Sequence, residues 1–118
     1  METQMGDEVI QRLDAIIAER RRNADSVDSY VAKISRAGLD HILKKVAEEC
    51  GETLVAAKNA QHGAEPAALI QETADLWFHC LVMLADAGVG GSDVLRELER
   101  RLGVSGIAEK AARVPSNG

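Results

Sequence analysis

The sequence predicts an all-α fold, a bundle of four to five helices that is completed by dimerisation. Apolar residues recur at three- and four-residue spacing along most of the 118 residues, and no alternating pattern typical of strands runs for more than a few residues. Aromatic residues make up only 3%, so the core has to be built from Leu, Ile, Val and Ala. A chain of this length suits one domain, which we expect at residues 1–114, followed by a disordered tail at 115–118.

The N-terminal part predicts a long helix and a short one. Residues 6–22 combine apolar positions at helical spacing with leading acidic residues and closing arginines, an order that suits the helix dipole. The polar segment 23–29 is expected to be a loop, in which Asp28 or Ser29 caps the next helix. Because Gly38 then interrupts the pattern, the second helix should end there.

The helix that starts near Leu39 is predicted to carry acidic and apolar residues on opposite faces. At about 100° per residue, Glu48, Glu49 and Glu52 gather on one side. The apolar stripe expected on the other side consists of Leu43, Val46, Cys50, Leu54 and Ala57. Cys50 and Cys80 both fall on apolar positions, so we expect reduced core residues and no zinc site.

A second long helix is expected after a loop at 59–66, where Gly63 permits a turn and Pro66 suits the first helical turn. Residues 67–87 then run almost without a polar residue after Asp75. A helix that is apolar on all sides needs cover on all sides. A second copy of the chain is the natural source of that cover, so we expect a homodimer, with a tetramer also open.

The C-terminal part predicts two further helices. The segment 88–93 breaks the preceding helix, and Ser92 or Asp93 is expected to cap the next one. A short terminal helix should follow at about 105–113.

Charge and hydropathy exclude some classes of function. A net charge of −5 argues against a sequence-independent nucleic-acid binder, because such proteins draw most of their affinity from Lys and Arg facing phosphates. The N-terminus lacks the charged-then-apolar pattern of a signal peptide, and the longest apolar run is too short to span a membrane. The chain is therefore expected to be cytoplasmic.

Five carboxylates fall in two short helical windows. Glu48, Glu49 and Glu52 form the first set, and Glu72 with Asp75 form the second. Like charges at this spacing repel each other. Water weakens this repulsion on a solvated helix face, whereas a bound cation would neutralise the charges. The second set begins the most apolar helix, where an unpaired charge is costly. A helical hairpin would bring the two sets together, so metal binding is the favoured interpretation.

The residue types around these acids indicate the metal and the substrate. Oxygen ligands without Cys or His at tetrahedral spacing favour Mg²⁺ or Mn²⁺ over zinc, and Mg²⁺ commonly binds together with substrate phosphates. Lys44 and Lys45 precede the first set and could meet the remaining phosphate charge, or could serve solubility alone. His79 lies one turn after Asp75 and is equally compatible with participation in catalysis and with a hydrogen-bonded core position.

The residues also carry a resemblance. The pattern EExxE at Glu48–Glu52 followed by ExxD at Glu72–Asp75 resembles the metal signature of the all-α nucleotide pyrophosphatases of the MazG-like superfamily. Within that group, the stretches YVAKISRAGLDHILKKVAEECGE, ETADLWFHCLVML and SGIAEKAAR are similar to the phosphoribosyl-ATP pyrophosphatases of histidine biosynthesis. The similarity runs from Leu13 to Arg113, with Ala47 and Gly51 departing from the family pattern without removing a carboxylate.

The resemblance implies an activity and roles for the acids. The expected reaction is hydrolysis of phosphoribosyl-ATP to phosphoribosyl-AMP and pyrophosphate, with Mg²⁺ held by Glu49, Glu52, Glu72 and Asp75. Glu48 would be a further metal contact or would orient the attacking water. All five acids are thus candidate catalytic residues, and Lys44, Lys45 and His79 are candidate substrate-binding residues.

Two alternatives to this function remain open from the sequence. A pyrophosphatase of the same superfamily that acts on a nucleoside triphosphate would share all five acids. A non-catalytic helical module could instead use the acidic face to bind a basic partner, and it would show neither turnover nor a response to metal.

Overall fold

The computed structural model describes residues 2–23 and 29–103, which form five α-helices and no strand. They are α1 (Glu2–Arg22), α2 (Tyr30–Ala37), α3 (Leu39–Gln61), α4 (Pro66–Asp86) and α5 (Gly91–Leu102). The all-α prediction is therefore confirmed. Asp28, the proposed terminal helix at 105–113 and the tail at 115–118 lie outside the described residues.

Helices α3 and α4 form the central hairpin, which makes the most extensive contact in the fold. Their connection is short: α3 ends at Gln61, two residues past the start of the predicted loop, and Pro66 is the first residue of α4. Gly63 has a φ of 103°, a conformation that L-residues adopt at a steric cost, so the predicted glycine turn is confirmed. Helices α1 and α2 pack on this hairpin, and α5 packs on α1.

The start of α2 and the boundary between α2 and α3 follow local chemistry. The Ser29 hydroxyl accepts a hydrogen bond from the Ala32 amide at 3.1 Å, so Ser29 is the predicted cap of α2. Gly38 has a φ of 98° and ends α2, and its carbonyl oxygen accepts hydrogen bonds from the His41 and Ile42 amides in the first turn of α3. One glycine therefore ends one helix and starts the next.

The start of α5 differs from the prediction. The helix begins at Gly91 after Gly90, one residue before Ser92, and Asp93 lies inside it. The Asp14 carboxylate of α1 accepts hydrogen bonds from the Gly91 and Ser92 amides at 2.8 and 3.0 Å. The cap therefore comes mainly from a residue 77 positions away, while Asp93 only accepts from the Gly90 amide.

The core lies where α1, α2, α3 and α4 meet. Its largest fully buried side chains are Ile17, Ile34, Ile42 and Val82. The stripe predicted for α3 is not part of it, because Leu43, Cys50, Leu54 and Ala57 are exposed in the single chain. The prediction that Cys50 is a core residue is therefore wrong, although both cysteines are free thiols and Cys80 is half-buried.

Helix α4 is also not covered on all sides by its own chain. Ile70 and Trp77 leave 67% and 64% of their surface exposed.

Among the described residues, no single helix is long and apolar enough to cross a membrane. Helices α4 and α5 together have the length and hydropathy of a membrane span, but they are bent by 104° relative to each other.

Candidate active site

The α3–α4 hairpin brings the two acidic sets together. One carboxylate oxygen each from Glu49, Glu72 and Asp75 lies within 4.8 Å of the other two. Glu49 comes from α3, and the other two residues lie one turn apart on α4. The antiparallel arrangement expected from the short connection therefore places three of the five predicted acids in one cluster.

Two oxygens of this cluster are buried without a hydrogen-bond partner in the described structure. They are Oε2 of Glu49 and Oε2 of Glu72. Only 8% of Glu49 is exposed, so its carboxylate has little contact with water. A buried carboxylate oxygen without a partner costs free energy, and a bound cation or a proton would remove that cost.

Glu52 joins the same cluster through its effect on Glu49 and Glu72. Burial raises the pKa of Glu49, and the nearby Glu52 carboxyl raises it further by hydrogen bonding and charge repulsion. The pKa of Glu72 is raised first by a hydrogen bond with Glu52, and then by burial and by the charges of Glu52 and Asp75. The surroundings of Glu49 and Glu72 therefore disfavour their ionised forms without a counter-ion.

Thr53 ties the two helices together at this cluster. Its hydroxyl oxygen lies 2.7 Å from the carbonyl oxygen of Glu49 and 3.2 Å from that of Glu72. Since a hydroxyl has one hydrogen to donate, the two carbonyls share it. The backbones of Glu49 and Glu72 are therefore linked through the side chain of Thr53, which was not among the predicted site residues.

An open cavity of about 810 Å³ lies along the acidic face of the hairpin. Its walls combine carboxylates, one lysine and small apolar residues. They include Lys45, Glu48, Glu49, Glu52 and Glu72, together with Gly51, Val55, Ala56, Asn59, Ala64 and Ala68. A cavity of this size fits a nucleotide-sized ligand, and its charged residues are those predicted from the sequence.

The remaining predicted residues take different places. Lys45 lines the cavity, and its ammonium lies 3.5 Å from the Glu48 carboxylate. Lys44 is exposed and does not line the cavity. Glu48 is more exposed than Glu49, with 47% of its side chain accessible, so it lies at the surface of the site. The structure therefore brings Lys45 and Glu48 to the acidic cluster and leaves Lys44 outside the cavity.

His79 is buried beside the cluster, with both ring nitrogens in hydrogen-bonding contact. Nδ1 lies 2.8 Å from the Asp75 carbonyl oxygen, and Nε2 lies 2.7 Å from the Tyr30 hydroxyl oxygen. Only 6% of His79 is exposed. Of the two roles left open by the sequence, this geometry favours the hydrogen-bonded core histidine. Tyr30 was not among the predicted site residues, because nothing in its local sequence indicates a partner 49 positions away.

The donor set fits a hard divalent cation. The cluster offers only carboxylate oxygens, and two of them are buried without partners. Mg²⁺ and Mn²⁺ prefer such ligands, whereas zinc favours Cys and His. The residues present therefore match the cation that the sequence predicted.

Comparison with known proteins identifies the family. Residues 10–102 match the family model described as phosphoribosyl-ATP pyrophosphohydrolase. The chain belongs to this family. The matched range of the phosphoribosyl-ATP pyrophosphohydrolase family contains the whole α3–α4 hairpin and all five acids.

Curated relatives agree with the family match. Proteins named phosphoribosyl-ATP pyrophosphatase from Burkholderia cenocepacia (strain HI2424), Burkholderia vietnamiensis and Burkholderia ambifaria are each 48% identical to this chain over 111 residues. The alignments cover 94% of this chain and 91% of each relative. The likeness to the phosphoribosyl-ATP pyrophosphohydrolase family thus extends over nearly the whole protein.

Proposed function

We propose that this chain hydrolyses phosphoribosyl-ATP to phosphoribosyl-AMP and pyrophosphate, the second step of histidine biosynthesis, and that it depends on Mg²⁺. The observation that carries the proposal is the cluster of Glu49, Glu72 and Asp75, which joins two helices and contains two buried carboxylate oxygens without partners. The family match and the names of the 48% identical relatives support the choice of substrate.

Four acids are proposed to hold the cation, with Mn²⁺ as a possible substitute. Glu49, Glu72 and Asp75 have converging oxygens, and Glu52 interacts with both Glu49 and Glu72. When bound, Mg²⁺ would offset the negative charge of the phosphate oxygens at the bond that breaks. Because these acids come from adjacent turns of one rigid hairpin, they are already arranged for binding before the cation arrives.

The side chains at the edge of the cluster are proposed to act on water and on phosphate. Glu48 is exposed beside the buried acids, where it can orient the attacking water and accept its proton. The water oxygen forms a bond to phosphorus as the bond between phosphorus and the bridging oxygen breaks, releasing pyrophosphate. Lys45 lines the cavity and can bind phosphate oxygens, while the exposed Lys44 can add only longer-range attraction.

Pyrophosphate release from phosphoribosyl-ATP, with and without Mg²⁺, tests this function. We expect turnover that stops with a chelator and returns with Mg²⁺. Glu52→Ala and Asp75→Ala should each abolish it while the helical circular dichroism is kept. Glu99→Ala is the matched control, because it removes an exposed acid on α5, outside the cluster.

A panel of nucleoside triphosphates separates the alternatives. Preferred turnover of one of them over phosphoribosyl-ATP would reassign the substrate within the superfamily. Absence of turnover with every nucleotide would contradict the enzymatic function and favour the interaction module. Retained Mg²⁺-dependent turnover in Asp75→Ala would contradict the assigned metal ligands.

We also propose that the active form is a homodimer, and that the protein is cytoplasmic. Trp77 is 64% exposed in the single chain and lines an apolar cavity of about 600 Å³ together with Val9, Ile10 and Phe78. Leu54 on α3 is 69% exposed. Exposed large apolar side chains and an open apolar cavity are typical of a subunit interface. Sedimentation of the wild type should show a dimer, and Trp77→Arg should shift it toward monomer. A monomeric wild type at micromolar concentration would contradict the proposal.

A further inference from the structure

The cavity on the acidic face of the hairpin has two chemically different ends. Toward the tip of the hairpin, its lining residues are uncharged: Val55, Ala56, Asn59, Ala64 and Ala68. On α3 they follow Glu52, and on α4 Ala68 precedes Glu72 by about one turn. Because the two helices are antiparallel, the uncharged residues of both sides lie together, next to the acids.

The connection between the helices holds the uncharged end in place. The Asn59 carbonyl oxygen accepts hydrogen bonds from the amides of His62 and Ala64, at 3.1 and 2.9 Å. Gly63, between these two residues, has a φ of 103° and turns the chain back toward α3. Ala64 is therefore fixed beside the end of α3 before any ligand binds.

The uncharged end exposes apolar surface. Val55 leaves 60% of its surface exposed, and Ala64 and Ala68 are also exposed. Because alanine side chains are small, they leave space that an apolar part of a ligand can fill. Lys45, the one cation among the described residues that line the cavity, lies at the acidic end, 3.5 Å from Glu48. Phosphate groups are therefore attracted to the acidic end with its cation, and the tip suits an uncharged group.

Asn59 adds directional hydrogen bonding to this apolar end. Among the described residues that line the cavity, it is the one neutral polar side chain. It is exposed and forms no side-chain hydrogen bond with the described part of the chain. A side-chain amide offers donors and an acceptor side by side. Adenine presents the complementary pair, the N6 donor and the N7 acceptor, on one edge, and Asn can bind both at once.

The position of Asn59 relative to the acids suits the two ends of one nucleotide. Asn59 follows Glu52 by two helical turns, so it lies on the same face of α3 and about 10 Å farther along the axis. Phosphates bound at the acids and at Lys45 leave the opposite direction, toward the tip, for the attached ribose and base. The base would then reach Asn59.

We propose that Asn59 is a specificity-determining residue that binds the N6 and N7 edge of the substrate adenine, with Val55, Ala64 and Ala68 as apolar walls around the ring. The inference rests on the proposed function, since it takes the phosphates of an adenine nucleotide to bind at the acidic cluster. It assigns a ligand group to the half of the cavity that holds no candidate catalytic residue.

Asn59→Leu tests the hydrogen bonds, because it removes the amide and keeps a side chain of similar size. KM for phosphoribosyl-ATP should rise about tenfold, the size of a lost amide–adenine pair, with a smaller change in kcat. Binding of inorganic pyrophosphate with Mg²⁺, measured by calorimetry, should stay at the wild-type level, because pyrophosphate has no base. Gln71→Leu is the matched control, since it removes an exposed amide of α4 that does not line the cavity.

Two results of this experiment would overturn the role of Asn59. One is an unchanged KM in Asn59→Leu. The other is an equal loss of pyrophosphate binding, which would show that the residue acts on the phosphates or on the fold.

Ala68→Leu tests the apolar walls independently of Asn59. The larger side chain would fill the space for the ring, so KM should rise by a similar factor while pyrophosphate binding is kept. Ala67→Leu is its control, because Ala67 is equally exposed on α4 but does not line the cavity. The same KM in both variants would contradict a base bound at the tip.

ATP and 7-deaza-ATP, which has carbon in place of N7, separate this inference from the proposed function. With Mg²⁺, the wild type should bind ATP about fivefold more tightly, the size of one neutral hydrogen bond, and Asn59→Leu should bind both alike. This preference without hydrolysis of phosphoribosyl-ATP would overturn the function and support the adenine site. Hydrolysis of phosphoribosyl-ATP without the preference, or without binding of either nucleotide, would overturn the adenine site alone.

Discussion

The hydroxyl oxygen of Thr53 on α3 lies 3.2 Å from the backbone carbonyl oxygen of Glu72 on α4. The same hydroxyl lies 2.7 Å from the carbonyl oxygen of Glu49, one turn earlier in its own helix. Both partner residues carry a buried carboxylate oxygen without a hydrogen-bond partner. One side chain therefore links the two helices at the point where the candidate metal ligands converge.

Thr53→Val should weaken the site more than it weakens the fold. Valine keeps the shape and removes the shared hydrogen bond, so the two helices can separate slightly at Glu49 and Glu72. We expect kcat/KM for Mg²⁺-dependent pyrophosphate release to fall about tenfold, the range observed when groups that orient metal ligands are lost, and the free energy of unfolding to fall by about 1 kcal/mol.

Thr73→Val is the matched control for Thr53→Val. The Thr73 hydroxyl bonds only to the Leu69 carbonyl oxygen within its own helix, at 2.7 Å. Its loss should leave turnover close to the wild type. Equal losses of activity in the two variants would show that the link between α3 and α4 has no special role.

The stability of the metal-free protein should depend on pH through Glu49. Its pKa is raised above 4.5 in the folded state, first by burial and then by Glu52, so the folded chain binds more protons than the unfolded chain above about pH 4.5. Stability should therefore fall as pH rises through this window and stay lower at pH 7. Glu49→Gln should be more stable than the wild type at pH 7 without metal, and the difference should vanish below pH 4.5.

Glu97 provides a control of opposite sign for that measurement. Hydrogen bonds from Arg100 and Arg101 lower its pKa to about 2, so its contribution to stability is present above pH 4.5 and is lost as pH falls toward 2. Glu97→Gln should thus be slightly less stable at pH 7, with an effect that salt reduces because the pairs are exposed. Urea unfolding at pH 7 measures both variants. If Glu49→Gln and Glu97→Gln changed the free energy of unfolding in the same direction, the causes assigned to the two pKa shifts would be contradicted.

Mg²⁺ should stabilise the folded protein in the absence of nucleotide. At about 100 times its dissociation constant, a ligand of the folded state adds about 2.7 kcal/mol, which corresponds to a rise in Tm of about 10 °C for a chain of this size. Differential scanning fluorimetry with MgCl₂, against NaCl of equal ionic strength, measures the shift. Glu72→Gln should remove most of it, and an unchanged shift in that variant would exclude Glu72 as a ligand.

Gly51 and Gly91 should respond to alanine in opposite ways. A Cβ on Gly51 would meet no atom within 4 Å, so backbone crowding does not require this glycine in α3. Gly51→Ala should therefore raise stability by up to about 1 kcal/mol through helix propensity. A Cβ on Gly91 would lie 2.5 Å from a Leu81 methyl carbon and 2.8 Å from one of Ile10. Gly91→Ala should cost about 1–3 kcal/mol through overpacking. Chemical denaturation of both variants measures these changes.

Local sequence patterns predicted the helices and the acidic hairpin well, for physical reasons. Apolar spacing, the Ser29 cap and the glycines at 38 and 63 act within a few residues, so the chain itself displays them. Spacing also predicted that Glu49, Glu72 and Asp75 would meet, because a short connection leaves two helices little choice but to pack antiparallel. The cap of α5 was predicted wrongly, because it comes from Asp14 on another helix.

The sequence by itself determined the helical class, the existence of the hairpin and the five acids that are candidates for the chemistry of the site. Only the tertiary structure decided that Glu49 is buried, that the Leu54 face of α3 is exposed in the single chain, and that Tyr30 reaches His79. Periodicity tells which residues share a helix face, but it does not tell which face meets a neighbour or at what angle. Burial and hydrogen bonds between distant residues depend on that packing, and so they appear only in the folded chain.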